Sequence, residues 1–245
     1  MRRLVLALAV LALAVLALAL PALLAVTLVS PTSADARARQ GPARDPVLLV
    51  HGFNGSGASW HTMKDRLLAT GYRANWVDAV TYDSGISNVD VAHQIGAEVD
   101  ALLARTGARK VDVIAHSMGT ISARYYVEHL GGAAKVDAFV SLAGVNQGTF
   151  WAVGCAVLVS CREMVPGSTL LARLSANFET DRPTRFAAWW SPCDPAILPP
   201  TNAELPGAHN TETGCLGHSD LKTDSRVVSA VLAFVARPHL RVVTA

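Results

Sequence analysis

The chain has 245 residues, with 21 Lys+Arg against 19 Asp+Glu and 51% apolar side chains. That is long enough for one domain with a substantial core. Only 16% of residues are charged and the net charge is +2, which excludes a disordered polyelectrolyte and gives no electrostatic case for nucleic acid as a partner.

Met1-Arg2-Arg3 supplies a short basic start, followed by an uncharged Leu/Ala/Val run over residues 4–29 that is interrupted by Pro21. Ala34-Asp35-Ala36 then offers a small-x-small cleavage site. This layout predicts a secretory signal peptide over 1–36 and export to the extracellular space. The run also approaches bilayer-spanning length, so an uncleaved membrane anchor is the alternative. Residues 37–45 read as a short flexible lead-in, and 46–245 as the folded domain.

Residues 46–50 (PVLLV) form a short apolar run ended by His51-Gly52, the pattern of a buried strand. Ser59 is the expected cap of a helix running to Ala69 and closed by Gly71. A second strand is expected over 74–80. Asn88 then caps a long helix in which Val91, Ile95, Val99 and Leu102 recur at helical spacing, with Gly107 as its stop. Val111–Ala115 predicts a strand, Met118–Leu130 a helix ended by Gly131-Gly132, and Ala138–Ala143 another strand. Residues 144–183 show no clear period and read as loops and short helices. Thr184–Trp190 is the late strand, and Ser225–Ala236 the closing helix. Strands alternating with helices imply a mostly parallel sheet covered on both faces.

Four cysteines, Cys155, Cys161, Cys193 and Cys215, all lie beyond the leader. An even number in an exported chain favours disulfides; of the three connectivities, nearest-neighbour pairing, 155–161 and 193–215, is preferred. None stands in a CxxC or Cys/His spacing, and no phosphate loop or dinucleotide fingerprint is present. No metal and no cofactor is therefore expected.

The chemistry concentrates in Ala115-His116-Ser117-Met118-Gly119, set between a predicted strand and a predicted helix. A serine hydroxyl needs exposure and an adjacent base to act as a nucleophile. A sharp strand-to-helix turn supplies the exposure and aims helical N–H groups at the reacting carbonyl. Ala115 replaces the first glycine of the usual G-x-S-x-G. The glycine-rich stretch His51-Gly-Phe-Asn-Gly-Ser-Gly57 follows the first strand, so the oxyanion donors are expected to be the backbone N–H groups of Phe53 and Met118. His51 itself reads as a structural hydrogen-bonding residue.

In this fold class the acid follows a late strand and the histidine comes last. Asp194, in Ser-Pro-Cys-Asp-Pro, and His218, in Gly-Cys-Leu-Gly-His-Ser-Asp, fit those places. His209 is the rival base and Asp181 the rival acid. His61, His93, His116, His129 and His239 are taken as structural. Asp220 and Asp224 read as charges near the start of the final helix.

The segments PVLLVHGFNGSGASW (46–60), RTGARKVDVIAHSMGTISARYYVEHLGG (105–132) and KVDAFVSLAGVNQGT (135–149) resemble the small secreted lipases of bacilli and actinobacteria, compact members of the α/β-hydrolase superfamily. Beyond 149 the likeness thins to SPCDPAI and GCLGHSDL. The resemblance implies an α/β fold with a sheet of about six strands, helices on both faces and no large lid. It carries the triad to Ser117, Asp194 and His218, with the oxyanion donors at Phe53 and Met118. Thr120 stands where many relatives have a second glycine, and the cysteine-bearing insert at 150–170 looks actinobacterial. The implied activity is hydrolysis of fatty-acid esters such as triacylglycerols by a monomer with transient lipid-interface contact. A cutinase-like polyester hydrolase and an inactive binding module on the same scaffold are the alternatives.

Overall fold

The computed structural model describes residues 44–176 and 183–237. The predicted leader, most of the lead-in, Asp181 and His239 lie outside them. Six strands form one all-parallel sheet: β1 (Val47–Val50), β2 (Val77–Ala79), β3 (Val111–His116), β4 (Val136–Leu142), β5 (Arg185–Trp190) and β6 (His209–Glu212), in the order β2-β1-β3-β4-β5-β6. Every residue of β1, β3 and β4 is buried, as strands covered on both faces require.

Alternate residues of the strands feed two cores. Leu48, Val50, Val113 and Phe139 pack with helices α2 (Asn88–Thr106) and α3 (Gly119–His129). Val47, Leu49, Ile114 and Val140 pack on the opposite face with α1 (His61–Ala69) and α6 (Ser225–Val235). Two short helices, α4 (Val159–Met164) and α5 (Thr169–Ala176), extend the first layer. Among the described residues no helix is long and apolar enough to cross a membrane.

The helix stops follow the sequence. Gly107 and Gly131 take left-handed φ values of +69° and +80°, which a residue without Cβ adopts at no steric cost. Asp224 caps α6 by accepting from the N–H groups of Arg226 and Val227.

Two expected caps are corrected. Ser59 lies inside a 3-10 turn, Gly57–Trp60, and its hydroxyl donates to the Ser56 carbonyl, so α1 starts at His61 without a side-chain cap. The cap of α2 is Ser87, whose Oγ accepts from Val89 N–H, while Asn88 is fully buried. Tertiary contact decides this: the Glu163 carboxylate of α4 accepts from Ser87 Oγ (2.6 Å), Asn88 N–H (2.6 Å) and Asn88 Nδ2 (2.9 Å). The second strand is also shorter than expected, because residues 74–76 form a 3-10 turn. β6 carries no apolar strand pattern, since HNTE is polar and mostly exposed, as an edge strand can be.

Glu163 thus places a carboxylate on the N-terminus of α2, where charge-assisted bonds and the helix dipole both favour it. Glu163→Ala is expected to lower unfolding free energy by about 1–3 kcal/mol, measured by urea denaturation, with Glu163→Gln intermediate.

Candidate active site

β3 ends at His116 and α3 begins at Gly119, leaving two residues to reverse the chain. Ser117 takes φ +54° there, a left-handed conformation that a side chain with Cβ adopts only when its surroundings enforce it. Its N–H donates to the Leu142 carbonyl (3.0 Å), and its own carbonyl accepts from Thr120 N–H (3.1 Å) and Thr120 Oγ1 (2.7 Å). Thr120 Oγ1 also accepts from Val145 N–H (3.1 Å). The threonine therefore ties this turn to the segment after β4.

Close packing explains the glycines. A Cβ on Gly52 would lie 2.7 Å from Ser117 Cβ and 3.2 Å from its Oγ, and one on Gly119 would lie 2.2 Å from the His51 carbonyl. The loop after β1 thus runs directly against the bend after β3. Phe53 follows Gly52 in that loop and Met118 follows Ser117; among the described residues neither N–H is taken up by a protein acceptor. His51 is fully buried and stacks on Tyr82 at 4.0 Å. Its Nε2 accepts from Tyr82 N–H, so its Nδ1–H donates to the Gly52 carbonyl, and the Tyr82 hydroxyl donates to the His51 carbonyl. Burial lowers the His51 pKa, which keeps the ring in this neutral form.

His218 follows β6 and reaches Ser117: Nε2 lies 2.8 Å from Ser117 Oγ. Its Nδ1 lies 2.8 Å from Asp194 Oδ2. An ionised carboxylate only accepts, so the proton sits on Nδ1 and Nε2 is left to accept from the serine. The second oxygen of Asp194 accepts from Ala196 N–H (2.8 Å) and Ile197 N–H (3.2 Å), so the carboxylate is held on both sides. Asp194 is buried, and the His218 side chain is 18% exposed.

Both predicted disulfides are present, Cys155–Cys161 and Cys193–Cys215. The second joins the Asp194 loop to the His218 loop across 22 residues, a constraint worth about 3 kcal/mol in the loop-closure picture. Two further residues brace these loops without a sequence signal. Ser191 Oγ donates to the Leu216 carbonyl (2.7 Å) and accepts from Leu216 N–H (2.8 Å) and Cys193 N–H (3.1 Å). His116, beside the serine, donates from Nε2 to the His218 carbonyl at 3.0 Å, with the two rings 4.6 Å apart. Burial first, then the neighbouring His218, pushes the His116 pKa well down, so the donor ring stays neutral. His209 lies exposed at the start of β6. Bonding between His218 and Ser117 leaves no geometric place for it in this cluster.

Residues 44–204 match the family described as Lipase (class 2). A triacylglycerol lipase of Vibrio cholerae serotype O1 is 33% identical over 129 residues, 48% of this chain and 38% of that protein; the chain thus matches well under half of that relative's length. A Bacillus licheniformis lipase, BlEst2 in its mature form, shares the fold at a TM-score of 0.69 and 17% identity, covering 80% of this chain and 93% of that one. Aspergillus fumigatus lipase B aligns at a TM-score of 0.66 and 13% identity, over 79% and 53%. With two thirds of its length inside the family match and the α/β-hydrolase sheet beneath its serine turn, the chain belongs to the class 2 lipases.

Proposed function

We propose that the protein is an exported serine hydrolase that cleaves fatty-acid esters through an acyl-enzyme on Ser117. The observation that carries this reading is the chain of two 2.8 Å bonds from Ser117 Oγ through His218 to Asp194. His218 Nε2 takes the serine proton as Oγ attacks the ester carbonyl, and Asp194 stabilises the imidazolium. The tetrahedral oxyanion is received by the N–H groups of Phe53 and Met118, each worth about 3 kcal/mol in such sites. His218 then protonates the departing alcohol, and water, activated by the same imidazole, releases the acid.

A fatty-acyl substrate is favoured by the surface beside the oxyanion loop. Phe150, Trp151, Val153, Val157 and Leu198 are 59%, 45%, 58%, 88% and 40% exposed. Trp151 meets the Phe53 ring edge-on at 6.0 Å, and its neighbour Phe150 bonds through N–H to the Leu198 carbonyl, so Phe150, Trp151 and Leu198 adjoin the oxyanion loop, with Val153 and Val157 following in the same segment. An apolar cluster of this kind suits an acyl chain or a lipid surface better than water. Two disulfides favour an oxidising compartment, in keeping with cleavage of a leader over 1–36.

Ser117→Ala is expected to lower hydrolysis of p-nitrophenyl esters by about 10⁴-fold or more and to abolish labelling by a fluorophosphonate probe, with the far-UV spectrum unchanged. Wild-type-like turnover in that variant would overturn the assignment. Asp194→Asn is expected to cost about 10⁴-fold through the lost tautomer.

His116→Ala is expected to lower kcat by about 10- to 100-fold, with KM little changed, because a small misplacement of His218 is costly. His116→Gln should recover part of that loss by restoring a donor to the His218 carbonyl.

Val157→Asp combined with Trp151→Ala is expected to reduce activity on emulsified long-chain esters while sparing a soluble acetate ester. Equal loss on both substrates would assign these residues to the chemistry or to folding instead. A profile over acyl chain lengths and an insoluble polyester separates a lipase from a polyester hydrolase.

A further inference from the structure

At the sheet edge opposite the serine, three aspartates come together. Asp45 stands two residues before β1, and Asp112 and Asp137 are the second residues of β3 and β4. One carboxylate oxygen from each lies within 4.8 Å of the other two. Such a spread fits oxygens sharing a cation at the ~2.3–2.6 Å distances of calcium, which can stand up to about 5 Å apart across the ion.

The sheet is shaped locally for this meeting. Val111 pairs with Val136 but Val113 with Phe139, so Asp137 and Ala138 together oppose Asp112 across a bulge. Bulges re-aim side chains in this way. Ala138 N–H donates to Asp112 Oδ1 at 3.1 Å, and the Asp137 carboxylate joins the cluster.

Among the described residues, two buried oxygens near this edge have no hydrogen-bond partner. Asp112 is fully buried, and its Oδ2 receives no hydrogen bond. The Tyr72 hydroxyl is also buried and unpaired, on a residue 7% exposed. Burial, and then the charges of Asp112 and Asp45, raise the Tyr72 pKa, which places the phenol in the field of the same aspartates. Two guanidiniums adjoin the group: Arg185 pairs with Asp137 at 2.7 Å, and Arg44 lies over the Tyr72 ring at 5.1 Å. No bond joins either to Asp112 Oδ2. A buried acceptor left unpaired is costly, and a hard cation with its bound waters would satisfy it and the phenol together.

We propose that Asp45, Asp112 and Asp137, with the Tyr72 hydroxyl beside them, form a calcium-binding site that clamps the amino-terminal ends of β1, β3 and β4. Its role is structural. Along β3 the five-residue step from Asp112 to Ser117 spans ~17 Å, so the ion takes no part in ester cleavage, and this proposal stands or falls separately from the hydrolase reading.

The test is thermal unfolding of the full chain after chelator treatment, with and without millimolar calcium chloride, with magnesium chloride as the comparison. Calcium should raise Tm of the wild type saturably, by about 5 °C or more, and Asp112→Asn should abolish the rise while still accepting from Ala138 N–H. Asp45→Asn supplies the same reading if Asp112→Asn fails to fold, and Tyr72→Phe should weaken the calcium midpoint several-fold. Turnover of a soluble ester well below Tm should not depend on calcium. No calcium-dependent rise in the wild type overturns the site, as does an equal rise with magnesium or an equal rise in the aspartate variants.

Discussion

Everything at the candidate site depends on one short reversal of the chain between β3 and α3. Ser117 is held there at φ +54°, a conformation that residues with Cβ avoid unless their neighbours compensate. The compensation is visible in the bonds from Leu142, Thr120 and Val145 that fix the turn, and in Gly52, whose missing Cβ leaves room for the serine. With the turn fixed, the hydroxyl stands at the carboxyl edge of a parallel sheet, where the loops after β1, β5 and β6 converge. That edge is where open α/β sheets present their ligands.

The loops carrying Asp194 and His218 are long and mostly irregular, so their precision has to come from cross-links. Three kinds are present: the Cys193–Cys215 bridge, the Ser191 hydroxyl bonded to both polar groups of Leu216, and the His116 ring on the His218 carbonyl. Each acts on the backbone around the imidazole and leaves its two nitrogens for Asp194 and Ser117. The neutral His51–Tyr82 pair serves the oxyanion loop in the same way. A site of this class needs its groups within a fraction of an ångström of their working positions, and this bonding supplies that stiffness where the sheet cannot.

The sheet has a second polar edge. Asp112 lies at the amino end of β3 and Ser117 just past its carboxyl end. The bulge between β3 and β4 departs from regular pairing only at the amino end, so the carboxyl end keeps the register on which the serine turn rests. Along β3 the buried charged and catalytic-type groups thus stand at its two ends, where chemistry or a counter-ion can offset their burial.

Sequence alone determined the strand–helix alternation, and with it the parallel sheet, because buried apolar runs and glycine stops are local signals. It also pointed to Ser117, Phe53 and Met118, since their positions follow from one strand-to-loop step. Chain order pointed to Asp194 and His218, yet their approach to Ser117 shows only in distances, because no local pattern says which loop reaches a serine 101 residues away. The caps moved to Ser87 and to an uncapped α1 because Glu163 and the 3-10 turn act from outside the helical segment. Ser191, His116, the polar strand β6 and the three aspartates carry no periodic or motif signal. Only tertiary structure decided them, because hydrogen bonds and charge clusters join residues distant in the chain, while sequence patterns report what lies within a turn or a strand.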